Sequence, residues 1–143
     1  MNTTSAAIAA ALTFTWLGMV LAISFLEAPL KFRAPGVTIP IGLGIGRLVF
    51  RALNSVEAVL AVVIAIAVFA GSPTTPALVL TIVAVVVLAA QLTAIRPVLT
   101  RRSNLVLRAG EELPRSRAHL WYVATESVKV IALIWLGVSL LAR

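Results

Sequence analysis

Four long apolar stretches constrain this chain more than any other feature. A helix crossing the ~30 Å hydrocarbon core of a bilayer needs ~20 apolar residues at ~1.5 Å each. The stretches run from about Ala6 to Leu30, Leu48 to Ala70, Pro76 to Leu99 and Ala118 to Leu141, so each meets that length. Val and Ile are abundant in the second and third, but the runs are long, lack turn residues and do not alternate with period two, which selects helices over strands. The expected fold is all-α, a four-transmembrane-helix bundle forming a single domain over residues 1–143. Composition agrees: 61% of the residues are apolar and 12% charged, against roughly 25% charged in an average soluble domain.

The net charge of +7 is distributed by loop rather than by face. Lys31, Arg33, Arg47 and Arg51 lie in or beside the first connection, and Arg96, Arg101, Arg102, Arg108, Arg115 and Arg117 in or beside the third. The middle connection, Gly71-Ser72-Pro73-Thr74-Thr75-Pro76, has no charge. In a four-span chain the first and third connections share a side, and basic residues mark the cytoplasmic one. Both termini are therefore expected outside, with the first run an uncleaved span, too long for a signal-peptide core. Nucleic acid is not an expected partner, because basic residues between apolar runs serve membrane topology and anionic lipid headgroups.

The segment from Lys31 to Gly46 is apolar after its first three residues and contains Pro35, Pro40, Gly42, Gly44 and Gly46. It reads as an irregular Gly/Pro-rich cytoplasmic segment between the first two helices, lying at the interface or dipping into the bundle. Gly44 and Gly46, with Arg47 and Arg51 behind them, are candidates for holding a headgroup or other anion if the second helix begins there. Close helix packing accounts for the glycines equally well. The segment from Thr100 to Arg117 is polar, with an amphipathic turn at Leu105 to Leu107 and a helix start set by Pro114 and Ser116.

A charge in mid-bilayer costs at least ~2.5 kcal/mol, so Glu27, Glu57, Glu126 and Lys129 each need a reason to be there. Helix rise puts Glu27 about one turn deep, Glu57 roughly 9 Å beyond Arg51 and Glu126 roughly 10 Å beyond His119. Three carboxyls at overlapping depth can converge on one pocket. In the last span His119, Tyr122, Glu126 and Lys129 follow spacings of three, four and three. In the second, Arg47, Arg51, Asn54 and Glu57 follow four, three and three. Each set falls along one helix face and reads as a polar ribbon turned to the bundle interior. Gln91 is the third span's contribution, with Arg96 nearer its end. Glu57 and Glu126 are expected to face each other beside Tyr122 and Lys129 in a cavity open to the cytoplasmic leaflet. Lys129 can neutralise only one of them, so the other holds a proton or a bound cation. Structural ion pairs that fix helix rotation, and a His119 that merely hydrogen-bonds at the interface, are the plainer alternatives.

Several chemistries are excluded by residue counts. Without cysteine there is no disulfide, thiolate metal site or cysteine nucleophile. One histidine cannot supply bis-histidine haem ligation, and the chain has no Glu-x-x-His pair of the di-iron kind and no aspartate for a Ser/His/Asp triad. No metal and no cofactor are expected.

Trp16-Leu17-Gly18, Glu27-Ala28-Pro29, Gly46-Arg47-Leu48-Val49-Phe50 and the later His119 resemble a group of small four-helix bacterial integral membrane proteins. The resemblance implies the four-helix topology and no substrate. Three classes of function are compatible with the residues. The first is binding or transport of a proton, cation or amphiphilic ligand at Glu27, Glu57, Gln91, His119, Tyr122, Glu126 and Lys129. The second is an intramembrane enzyme using Glu57, Glu126 and Tyr122 in acid/base chemistry on a lipophilic substrate. The third is an accessory subunit, in a homo-oligomer or larger membrane complex, whose polar faces pair with a partner helix.

Overall fold

The structure is a computed structural model describing residues 2–97, 100–101, 104–105 and 117–142, with 117–119 in backbone only. The described residues form four principal helices: α1 (Thr3–Lys31), α2 (Ile39–Ala70), α3 (Thr75–Ile95) and α4 (Arg117–Leu141). All four are long and apolar enough to span a membrane. Their outer faces expose Leu48, Val59, Ile66, Val86, Ile131 and Trp135, an apolar exterior compatible with a membrane. The helix start expected at Pro114 and Ser116 and most of the turn expected at Leu105 to Leu107 lie outside the described residues.

Local chemistry sets the helix starts. Asn2 accepts from the Ser5 amide (2.7 Å), Thr38 from Ile41 (3.3 Å) and Thr74 from Ala77 (3.4 Å), so a polar side chain caps α1, α2 and α3. The α2–α3 turn is short, with Ser72 held at φ 57°. Each helix packs against its two neighbours in sequence around a square, with α4 closing on α1. The short α1–α2 and α2–α3 connections force those neighbours antiparallel. Ala9, Ala10, Ile64, Val68, Ala77, Leu136 and Leu140 are buried together, so the half of the bundle nearest the chain termini is dry. The buried charged residues and Gln91 lie toward the other half.

One expectation is corrected. Gly42 to Gly46 are not irregular: α2 runs unbroken for 32 residues from Ile39, nine residues before the expected start at Leu48. Pro40 sits in the first helical turn, where its missing N–H costs nothing. The glycines serve close packing. A Cβ on Gly42 would collide with the Phe32 ring, and one on Gly46 would lie 2.9 Å from Lys31 Nζ, whereas at Gly44 it would meet nothing. Between α1 and α2, residues 32–38 are non-helical, turning at Gly36 with φ 82°.

Two helices widen. α1 adopts a π stretch over Leu21–Glu27 and α3 another over Gln91–Ile95. In each, a proline stands two residues beyond the end, Pro29 and Pro97. A proline ring clashes with the carbonyl four residues back in a regular helix, and opening the preceding turn relieves it.

Candidate functional site

The apolar and polar halves of the bundle meet at Lys129, whose side chain has no exposure at all. Its ammonium lies 2.7 Å from Glu57 Oε1 on α2 and 2.6 Å from Glu126 Oε1 one turn away on α4. It also donates to Gln91 Oε1 on α3 over 2.8 Å. From α1, Trp16 Nε1 donates to Glu57 Oε1 over 3.0 Å. All four helices therefore end on one buried ion cluster.

The two carboxylates are held differently. Glu126 Oε2 accepts from Ser24 Oγ (2.6 Å) and from the Tyr122 hydroxyl (2.7 Å). Its Oε1 accepts from Gln91 Nε2 (3.2 Å) besides contacting Lys129. Gln91 Nε2 also reaches Thr125 Oγ1 (2.9 Å), which fixes the amide's orientation. Four donors around one carboxylate satisfy it as an anion. Glu57 receives both of its contacts on Oε1, while its Oε2 is buried and has no hydrogen-bond partner.

The π stretches place two of these groups. Ser24 lies inside the one on α1 and Gln91 begins the one on α3, so both proline-associated distortions aim a polar side chain at Glu126. Such turns recur at functional sites because they present side chains a regular helix would carry past the target.

Among the residues singled out by sequence, Glu57, Gln91, Tyr122, Glu126 and Lys129 come together here. Glu27 does not join them. It pairs with Lys31 one turn along α1, at 3.8 Å, and Ser24 takes the position against Glu126 that a third carboxyl was expected to fill. The side chain of His119 lies outside the described residues. The ribbon expected on α2 is also corrected. Arg47 and Arg51 are exposed, and the inward stripe is Gly42, Gly46, Leu53, Glu57, Ala61, Ile64 and Val68. Arg51 therefore does not pair with Glu57. Gly44 and Gly46 lie within a continuous helix, where amides bond to carbonyls four residues back, so their N–H groups cannot cradle an anion as expected.

Sequence reasoning passed over Trp16, Ser24 and Thr125, and placed Arg96 near the end of the third span without its inward turn. Trp16 was legible in principle: Ala6, Ala9, Ala10, Thr13, Trp16, Leu17 and Val20 form a small-residue stripe that marks the packed face, and Ser24 continues it. Arg96 was not. The inward stripe Ala77, Thr81, Ala84, Leu88 and Gln91 extrapolates to residue 95, and the π turn changes that phase. Its guanidinium lies 4.3 Å from the Phe50 ring centroid and 4.5 Å from that of Tyr122.

The polar groups thus form a series from mid-bundle toward the basic connections: Trp16, Glu57, Lys129, Glu126, Tyr122, then Arg96 and Lys31. A shallow apolar hollow on the outer face of α2, lined by Ala58, Val59, Val62 and Val63, is unrelated to it. Among the described residues no group of three His, Cys, Asp or Glu side chains could hold a metal ion. Compared with family models, curated proteins and solved structures, the chain matches none.

Proposed function

We propose that the chain is a small integral membrane protein that takes up and releases a proton at Glu57, the coupling site of a carrier for an amphiphilic small molecule. In this reading all four helices span the membrane, with both termini outside and both basic connections cytoplasmic. The polar series leads from the cytoplasmic interface to the cluster. A proton entering along it would meet Tyr122 and Glu126 before reaching Glu57.

The observation that carries the reading is the unequal bonding of the two carboxyls. With Glu57, Glu126 and Lys129 all ionised, the buried cluster has one negative charge too many, and an uncompensated charge in low dielectric costs several kcal/mol. Glu126 is saturated with donors and has no position for a proton. Glu57 Oε2 is open, so a proton there makes the cluster neutral without breaking any bond already formed. The groups facing Glu57 are Trp16 from α1, Gln91 from α3 through Lys129, and Lys129 with Glu126 from α4.

Infrared spectroscopy of the reconstituted protein tests this. A protonated-carboxyl stretch is expected in the wild type and in Glu27→Gln, and is expected to vanish in Glu57→Gln. Persistence of the band in Glu57→Gln, or its absence from the wild type at every pH, would overturn the reading. The accessory-subunit alternative is less supported, because Glu57, Tyr122, Glu126 and Lys129 are spent inside the bundle, although Arg47 and Arg51 remain exposed on α2.

A further inference from the structure

The proton cluster leaves one buried set of donors unused. Arg96 sits in the corner made by two perpendicular rings, Phe50 and Tyr122, whose centroids are 5.9 Å apart. Ring faces attract its charge but accept no N–H in the guanidinium plane. Its Nε and Nη2 are buried, and neither has a hydrogen-bond partner. These two nitrogens share one edge of the guanidinium, the edge whose parallel N–H groups match two oxygens of a carboxylate or phosphate. A buried charged donor left without a partner is costly.

A second cation stands at the same ring. Lys31 Nζ lies 5.6 Å from the Phe50 centroid and 5.5 Å from that of Phe32. Its side chain is 10% exposed, held against α2 where Gly46 leaves room, so it does not reach outward as interfacial lysines commonly do. Its carboxylate partner, Glu27, is 3.8 Å away, on the same helix and 36% exposed. Two cations and one loosely held carboxylate leave this end of the bundle locally positive. The surrounding Phe32 and Phe50 are apolar.

We infer that this corner is an oxyanion site: the Nε–Nη2 edge of Arg96 receives a phosphate or carboxylate through two parallel hydrogen bonds, with Lys31 as the second positive charge. It is distinct from Arg47 and Arg51, which are exposed on α2. Tyr122 links it to the proton cluster, since the ring beneath Arg96 also holds Glu126 through its hydroxyl. Binding here involves no proton transfer, so it stands or falls independently of Glu57.

The test is native mass spectrometry of the full chain released from detergent after adding phosphatidylglycerol, phosphatidylcholine or inorganic phosphate at one pH. Retention of phosphatidylglycerol over phosphatidylcholine is expected. Arg96→Lys keeps the charge and removes the two-pronged edge, so it should weaken retention roughly tenfold or more. The exposed Arg101→Gln on the same end removes a charge and should leave retention within about twofold of wild type. Displacement of the lipid by inorganic phosphate would assign the site to free phosphate, and resistance to displacement to the lipid headgroup. Both outcomes support an oxyanion site. Equal effects of Arg96→Lys and Arg101→Gln, wild-type retention by a correctly folded Arg96→Lys, or no preference between the two lipids would overturn it. So would retention that appears only when Glu111 and Glu112 are both replaced by Gln, which would assign the edge to the chain's own carboxylates.

Discussion

Trp16 Nε1 donates to Glu57 Oε1 over 3.0 Å, and this bond ties the first helix to the second in the middle of the bundle. Trp16 is 1% exposed, so no water replaces the bond if it is lost. Trp16→Phe keeps an aromatic ring and removes only the donor. A loss of ~1.5–3 kcal/mol is expected, the range for hydrogen bonds to charged groups, read as a lower melting temperature in detergent. An unchanged melting temperature would mean that the indole contributes packing alone.

Lys129 separates two carboxylates that would otherwise face each other unshielded. Lys129→Met should destabilise the bundle by ~3–5 kcal/mol, more than Trp16→Phe, because it leaves buried charge without a partner. The triple variant Lys129→Met, Glu57→Gln, Glu126→Gln should recover most of that loss, since it removes the charges together. Thermal unfolding of the series in one detergent decides. If the single and triple variants melt together, charge burial is not the cause.

The α2 glycines separate by what surrounds them. Gly44→Ala adds a methyl group into open space and should stabilise the helix by ~0.5–1 kcal/mol. Gly42→Ala drives a Cβ into the Phe32 ring and should destabilise the bundle, as should Gly137→Ala on α4, whose Cβ would lie 2.5 Å from Phe14. Gly46→Ala meets only the flexible end of Lys31 and should have a smaller effect than Gly42→Ala. Melting temperatures in the order Gly44→Ala, Gly46→Ala, Gly42→Ala, from highest to lowest, are the expected readout.

Pro97 accounts for the π stretch that begins at Gln91, and Pro97→Ala should let α3 return to regular helix. A one-residue change in phase rotates the C-terminal end of the helix by ~100°, enough to carry Arg96 off its two rings. Tyr122 is the only tyrosine, so its ring signals in an NMR spectrum are unambiguous and respond to the Arg96 contact. They should shift in Pro97→Ala and in Arg96→Lys. Signals unmoved by Pro97→Ala would show that packing, not proline, sets the widening.

The proposed orientation predicts that a reporter fused after Arg143 is external and one inserted between Leu107 and Arg108 is cytoplasmic. The reverse pattern would place the polar end of the bundle outside.

The sequence by itself determined that four helices form, because apolar length and the absence of strand periodicity leave a single solution. It also determined that Tyr122, Glu126 and Lys129 share a helix face, since spacings of three and four are local geometry. It misplaced the start of α2, where Pro and Gly read locally as breakers but sit in a first turn and at a packed face. Only the tertiary structure decided which carboxyls meet. Glu27 and Glu57 have similar credentials in one dimension, yet Lys129 reaches Glu57, and Ser24 rather than Glu27 contacts Glu126. It also decided that Arg96 faces inward while Arg47 and Arg51 face out. Helix rotation is set by packing among four surfaces and by two proline-widened turns, and spacing along one chain cannot express the angle between separate helices.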